Sequence, residues 1–198
     1  AHKACGRLFP DLLDLSLAPV RPAHYTPCDS GPEQREEMPG IRLVLADGTE
    51  YRGQSFGAEK PASGEVVFNT GMVGYPENLT DPSYHGQILV LTYPLAGNYG
   101  VPPDETENGL PRYFESGSIQ VEGLVVSSHC EDYSHRGASR SLSEWLRGHG
   151  VPGISGIDTR ALTKALRRRG TVPGGILPAG EEPGFADPNL RNLVAEVS

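Results

Sequence analysis

The stretch Ile88-Leu89-Val90-Leu91-Thr92 constrains the fold more than any other part of the chain. It is apolar on both faces of an extended backbone, so both faces must be covered by other parts of the protein. That is the pattern of a central buried strand. Other extended segments can surround it. Ile41 to Leu45 and Thr49 to Ser55 flank Asp47-Gly48, a tight-turn signal, and together read as a β-hairpin. Glu65 to Thr70 is β-branched and aromatic, and Val121 to Val126 is a further strand candidate. Between them Gly97 to Ser118 reads as loop, with Gly97-Asn98, Pro102-Pro103 and Asn108-Gly109.

Two helices come late. Ser141 and Glu144 have capping-box spacing, and Leu142, Trp145 and Leu146 share one face of a short helix ending near Gly148 or Gly150. After strand-like Pro152 to Ile157, Asp158 is placed as an N-cap, and Leu162, Ala165 and Leu166 form the apolar stripe. Arg167-Arg168-Arg169 then falls in the last turn, where cations suit the macrodipole, with Gly170 just beyond. Strands outnumber helices, and 25 glycines and 18 prolines in 198 residues weigh against a helical bundle. The expectation is an α/β domain with sheet layers covered by helices on one side.

Residues 1–37 differ from the rest. Pro10, Pro19, Pro22, Pro27 and Pro32 interrupt any element, and six acids against four Lys or Arg do not fit an Arg-rich, acid-poor transit peptide. The segment reads as a disordered extension, and residues 38–198 as the domain. The net charge of −8 repels phosphate backbones, so no nucleic-acid partner is expected. No apolar run approaches the roughly 18 residues a membrane-crossing helix needs, so no membrane partner is expected either. Cys5, Cys28 and Cys130 are too widely spaced for a metal knuckle and read as reduced thiols.

Several groups invite chemistry. Ser128-His129-Cys130-Glu131-Asp132-Tyr133-Ser134-His135 places a thiol among imidazoles and carboxylates. It can be a hydrolase built on Cys130 or a polar loop between a strand and a helix. Arg167 to Arg169 can grip a phosphate or form a solvated helix end. Asp158, Thr159 and Arg160 can be catalytic, or a capped helix start with Arg160 reaching a neighbouring carboxylate. Gly53, Gly57, Gly64, Gly71 and Gly74 match no phosphate-binding pattern and read as turns and bulges. Composition and spacing therefore reach an acidic α/β domain and no catalytic constellation.

Longer motifs go further. The run Gly64 to Glu77, with Phe68-Asn69-Thr70-Gly71-Met72-Val73-Gly74-Tyr75-Pro76-Glu77, resembles the hallmark of carbamoyl-phosphate synthase small chains. So do Leu79-Thr80-Asp81-Pro82-Ser83-Tyr84, Thr92-Tyr93-Pro94 through Gly97-Asn98-Tyr99-Gly100, and Gly156-Ile157-Asp158-Thr159-Arg160-Ala161-Leu162-Thr163. The resemblance covers roughly 41–198, with Asp187-Pro188-Asn189 to Ser198 like the closing segment of the small chain's amino-terminal domain. It departs at Pro173 and Gly175, where relatives tend to carry an aliphatic and a larger side chain, and at Arg136, where animal relatives often carry an aromatic.

The resemblance implies a three-layer β/β/α swivelling domain. It implies partners too, a glutaminase domain and the synthetase (large) domains, with ammonia from glutamine passing to the latter. Bicarbonate and two ATP would become carbamoyl phosphate there. ATP and magnesium belong to those synthetase domains, so no cofactor is expected in this domain. The nucleophilic Cys also belongs to a following domain, so no catalytic residue and no metal site is expected here. One substrate-binding residue is implied: Ser83 of Asp-Pro-Ser-Tyr would support the glutamine site. Pro82 fixes its own φ and biases Asp81 to an extended shape, which presents Ser83 on a defined turn. The competing possibility is that Asp81 and Ser83 satisfy only their own turn amides. The chain resembles the cytoplasmic pyrimidine branch through Gly71-Met72-Val73-Gly74, and the mitochondrial urea-cycle branch through Asn192 to Glu196. A non-catalytic interaction module is the alternative of another class.

Overall fold

The computed structural model of the chain describes residues 40–178, 180–181, 184–185 and 192–197. The expected extension over 1–37 and the Asp187-Pro188-Asn189 motif lie outside them.

In chain order the elements are β1 (Gly40–Leu45), β2 (Glu50–Ser55), β3 (Ala62–Asn69), α1 (Tyr75–Thr80), a 3-10 turn (Pro82–Tyr84), β4 (Gln87–Leu91), β5 (Leu95–Ala96), β6 (Thr106–Glu107), β7 (Leu110–Pro111), β8 (Gly123–Val125), β9 (Ser128–His129), α2 (Leu142–His149), β10 (Gly153–Ser155), α3 (Thr159–Arg169), β11 (Val172–Pro178) and α4 (Leu193–Val197). The chain is mixed α/β, as expected. Seven strands close on themselves in the order β1-β11-β3-β4-β8-β10-β2. The β1–β2 hairpin forms around Asp47-Gly48, where the Asp47 carboxylate accepts from the Thr49 amide at 2.9 Å. Pairing from β3 through β4 and β8 to β10 is parallel, and the remaining ladders are antiparallel.

The coverage demanded by residues 88–91 is met from two sides. Ile88 and Val90 point into a cluster with Leu43, Leu45, Val125 and Ile176 inside the barrel, which α3 joins through Leu162 and Leu166. Leu89 and Leu91 point outward into a second cluster with Leu79 of α1 and Leu142, Trp145 and Leu146 of α2. All four strand residues are nearly or fully buried, which at about 1.5–3 kcal/mol each makes β4 a principal source of stability.

The helices follow their local signals. Ser141 and Glu144 form both bonds of the capping box, and Gly150 ends α2 in the left-handed region at φ 68°. Asp158 caps α3 by accepting from the Ala161 amide at 2.8 Å, and Gly170 closes it. Of the arginine run, Arg169 pairs with Asp47 at the hairpin turn, so one of the three braces α3 against the barrel. Arg160 reaches no carboxylate among the described residues.

Two sequence readings change. Thr171 to Ile176, noted only as a departure, belongs largely to β11, the strand that closes the barrel against β1. Pro173 still takes part in the ladder through its carbonyl, which accepts from the Ala46 amide at 2.8 Å. Gly53 is neither a turn nor a bulge. It lies in β2, where a Cβ would fall 2.2 Å from the Ser155 carbonyl oxygen, so it permits a close approach of strands.

Candidate functional site

Ser83 lies in the 3-10 turn between α1 and β4. Three features of the sequence shape this corner. Gly74 starts α1 with φ 87°, Pro76 fits its first turn, and Asp81 ends it with an extended backbone enforced by Pro82. The following 3-10 turn is internally satisfied. The Asp81 carboxylate accepts from the Ser83 amide at 2.8 Å, the Asp81 carbonyl accepts from the Tyr84 amide, and the Pro82 carbonyl accepts from the His85 amide.

Asp81 does serve a turn amide, but the Ser83 hydroxyl serves none among the described residues. Ser83 is exposed, with its hydroxyl directed to no described partner. A short hydroxyl on a satisfied backbone can donate to a carboxylate or carbonyl and accept from an ammonium.

The base beneath the turn is well tied. Thr80 is buried, and its hydroxyl donates to the Pro76 carbonyl at 2.9 Å and accepts from the Glu115 amide at 3.0 Å. The Gln120 amide donates to the Leu79 carbonyl, and Ser116 donates to the Thr80 carbonyl. Asn69 at the end of β3 donates to the Tyr84 hydroxyl at 3.2 Å. His85 faces two acceptors: Nδ1 meets Gln120 Oε1 and Nε2 meets Glu196 Oε2, each at 3.1 Å. Sequence reasoning missed Asn69, His85, Gln120 and Glu196. Their separations of up to 111 residues leave no pattern in the sequence, although the motif around Asn69 was visible.

The Cys130 region is organised quite differently. Ser128–His129 forms β9, paired in parallel with β5, and Glu131 to Gly137 then runs as an exposed irregular stretch, the polar loop read from sequence. The His129 ring stacks on Phe56 with centroids 4.2 Å apart. Its buried Nε2 lacks a hydrogen bond and lies 3.7 Å from a Glu131 carboxylate oxygen. Burial pushes the His129 pKa down; Glu131 pulls it up, and Arg147 adds to the depression. Glu131 itself accepts from the hydroxyls of Ser141 and Ser143 at the start of α2. Cys130 is buried, with its sulfur 3.0 Å from the Asp132 carbonyl oxygen, while the neighbouring His129 ring is turned against Phe56.

A cavity of about 580 Å³ opens beside α1, walled by Pro76, Glu77, Tyr99, Pro102 and Tyr113, and Ser83 does not line it. No helix among the described residues is long and apolar enough to cross a membrane.

Comparison with known sequences adds an independent line. A family profile described as carbamoyl-phosphate synthase small chain, CPSase domain, matches residues 43–176. Multifunctional protein URA2 of Saccharomyces cerevisiae is 50% identical over 186 residues, which cover 82% of this chain and 8% of that protein. Multifunctional protein CAD of Squalus acanthias is 52% identical over 160 residues, covering 79% and 7%. The mitochondrial carbamoyl-phosphate synthase [ammonia] of Homo sapiens is 50% identical over 173 residues, covering 81% and 12%. The chain thus spans between 7% and 12% of the length of these three curated relatives.

Proposed function

Because the chain belongs to the carbamoyl-phosphate synthase small-chain family, we propose that it is the docking and glutamine-supporting domain of a glutamine-dependent carbamoyl-phosphate synthase. Such an enzyme is a ligase joining ammonia from glutamine to bicarbonate at the expense of ATP. The domain contributes no nucleophile. It presents Ser83 to glutamine held in a neighbouring glutaminase domain and rests on synthetase domains that bind ATP and magnesium. The carrying observation is the Ser83 turn: an exposed hydroxyl without a described partner, on a backbone whose own amides are served by Asp81.

The pyrimidine branch and a cytoplasmic setting are the preferred context, supported by the multifunctional relatives URA2 and CAD. The human mitochondrial relative supports the ammonia-dependent alternative at similar identity. The three-layer β/β/α arrangement belongs to the same reading. Its support is that β4 turns one face to the antiparallel half of the barrel and the other to α1 and α2.

The test combines the chain with glutaminase and synthetase domains. The chain alone should release no ammonia from glutamine, and the assembly should. In the assembly, Ser83→Ala should raise the glutamine KM roughly three- to tenfold with kcat nearly unchanged, the equivalent of one lost hydrogen bond of about 0.5–1.5 kcal/mol. An unchanged KM removes Ser83 from the site. Ammonia-driven synthesis without glutamine use would favour the alternative branch.

A further inference from the structure

The cavity beside α1 has a definite chemical character that the Ser83 reading does not use. Val73 and Gly74 line its edge; Val73 is 75% exposed, and the adjacent Met72, just outside the cavity, is 70% exposed. Two adjacent large apolar side chains standing in water on a tied corner are unusual among otherwise scattered exposed apolars. The walls are Pro76 and Pro102, with the rings of Tyr99 and Tyr113. The floor cannot be filled by a side chain at Gly100, which has φ 70° and where a Cβ would fall 2.7 Å from the Ala138 methyl.

The polar groups select the sign of an occupant. The amides of Gly74 and Tyr75 at the start of α1 already donate to the Tyr99 hydroxyl, at 2.8 and 3.1 Å. The Tyr75 hydroxyl is likewise used, donating to the Gly100 carbonyl. The Gly74 and Tyr75 amides are therefore already used within the chain. The charged group left on the wall is the exposed Glu77 carboxylate, which forms no ion pair among the described residues. Burial is the main cause raising the pKa of Tyr75 and Tyr99, and the Glu77 carboxylate adds the smallest contribution to each. His135, also on the wall, accepts from the Gly137 amide through Nδ1, leaving Nε2 to carry a proton. Tyr113 already carries one guanidinium, Arg112, over its ring at 5.2 Å, and that cation is paired with Glu105.

We propose that this cavity receives an arginine side chain from a partner polypeptide, with flanking aliphatic residues of that partner packed on Met72 and Val73. The three methylenes of arginine match the proline and valine walls. Its guanidinium can pair with Glu77 and lie against an aromatic face. A buried arginine ringed by apolar contacts is a common anchor of protein interfaces. The inference rests on the docking role proposed above, but its site is separate from Ser83.

The probe is the tripeptide acetyl-Leu-Arg-Leu-amide, titrated into the isotope-labelled chain while the amides of Val73, Gly100 and Gly137 are followed by NMR. Acetyl-Leu-Glu-Leu-amide is the control. Saturable shifts with the arginine peptide alone are expected. Glu77→Gln should weaken binding roughly tenfold, in line with a lost hydrogen bond to a charged group, and Val73→Asp should weaken it as well. Ser83→Ala should leave it unchanged, so failure here and failure of the glutamine reading are told apart. Glu77 is exposed, so its variant should retain the wild-type spectrum elsewhere. Equal shifts with the acidic peptide, non-saturating shifts, or a titration indifferent to Glu77→Gln would each overturn the proposal.

Discussion

The Ser83 turn and the Cys130 segment are opposites. The second holds a serine, a histidine, a cysteine and a glutamate in four consecutive residues, and the first offers a single short hydroxyl. Yet the richer segment is spent on structure. His129 is pressed against Phe56, Glu131 serves the serines that start α2, and the buried Cys130 sulfur faces the Asp132 carbonyl. The poorer one keeps its hydroxyl exposed while Asp81 does the structural task beside it. What a side chain can do for a ligand depends on which of its atoms the fold has left uncommitted, and an inventory of residue types does not report that.

The sharpest way to break this contrast is to unpack the rich segment. Phe56→Ala should cost about 3–5 kcal/mol, because the ring is 3% exposed and its removal leaves a void against His129. Urea denaturation measures it, and a loss below about 1 kcal/mol would show that the segment is not built on that ring. Asp81→Ala should cost about 1 kcal/mol by orphaning the Ser83 amide. The same variant should also blur the presentation of Ser83, seen as line broadening at its amide.

A pH test probes His129. Burial holds its folded pKa below the ordinary value of about 6.5. As pH falls through that ordinary value the unfolded chain takes up a proton that the folded chain refuses, so stability is lost toward acid. His129→Phe keeps a ring against Phe56 and should flatten that part of the acid loss. An unchanged slope would mean that the imidazole stays accessible to protons. The smallest effect belongs to Ser83→Ala, whose folding stability should stay within about 0.5 kcal/mol of wild type. A larger loss would make Ser83 structural after all and erase the distinction between the two regions.

What the sequence disclosed was what its chemistry settles within a few residues. Ser141 with Glu144, Asp158, Gly150 and the Asp47-Gly48 turn all act on amides or carbonyls no more than four positions away. The double coverage of Ile88 to Leu91 was also legible, because a strand without a polar face needs two neighbours whatever they are. Closure of the barrel was not. Ile41 pairs with Pro178, and nothing near either residue announces the other. Pro173 and Gly175 stand out in the sequence only as departures from the family pattern, because strand propensity carries little weight beside a site where strands crowd. The α1 segment, with Gly74, Pro76, Asn78 and Thr80, lacks strong helix formers and is held by Tyr99 and the 115–120 loop instead. The hydroxyl of Ser83 stood out only through family motifs, and its uncommitted state only through coordinates.

The antiparallel ladder between β1 and β11 has a consequence for how this protein is made. A ribosome delivers the first strand of the ring long before the last, and until residue 178 emerges β1 and β3 each present an unzipped edge. The nascent domain is therefore exposed to mispairing for most of its synthesis, and any product terminated before that point carries two adhesive borders into the cell.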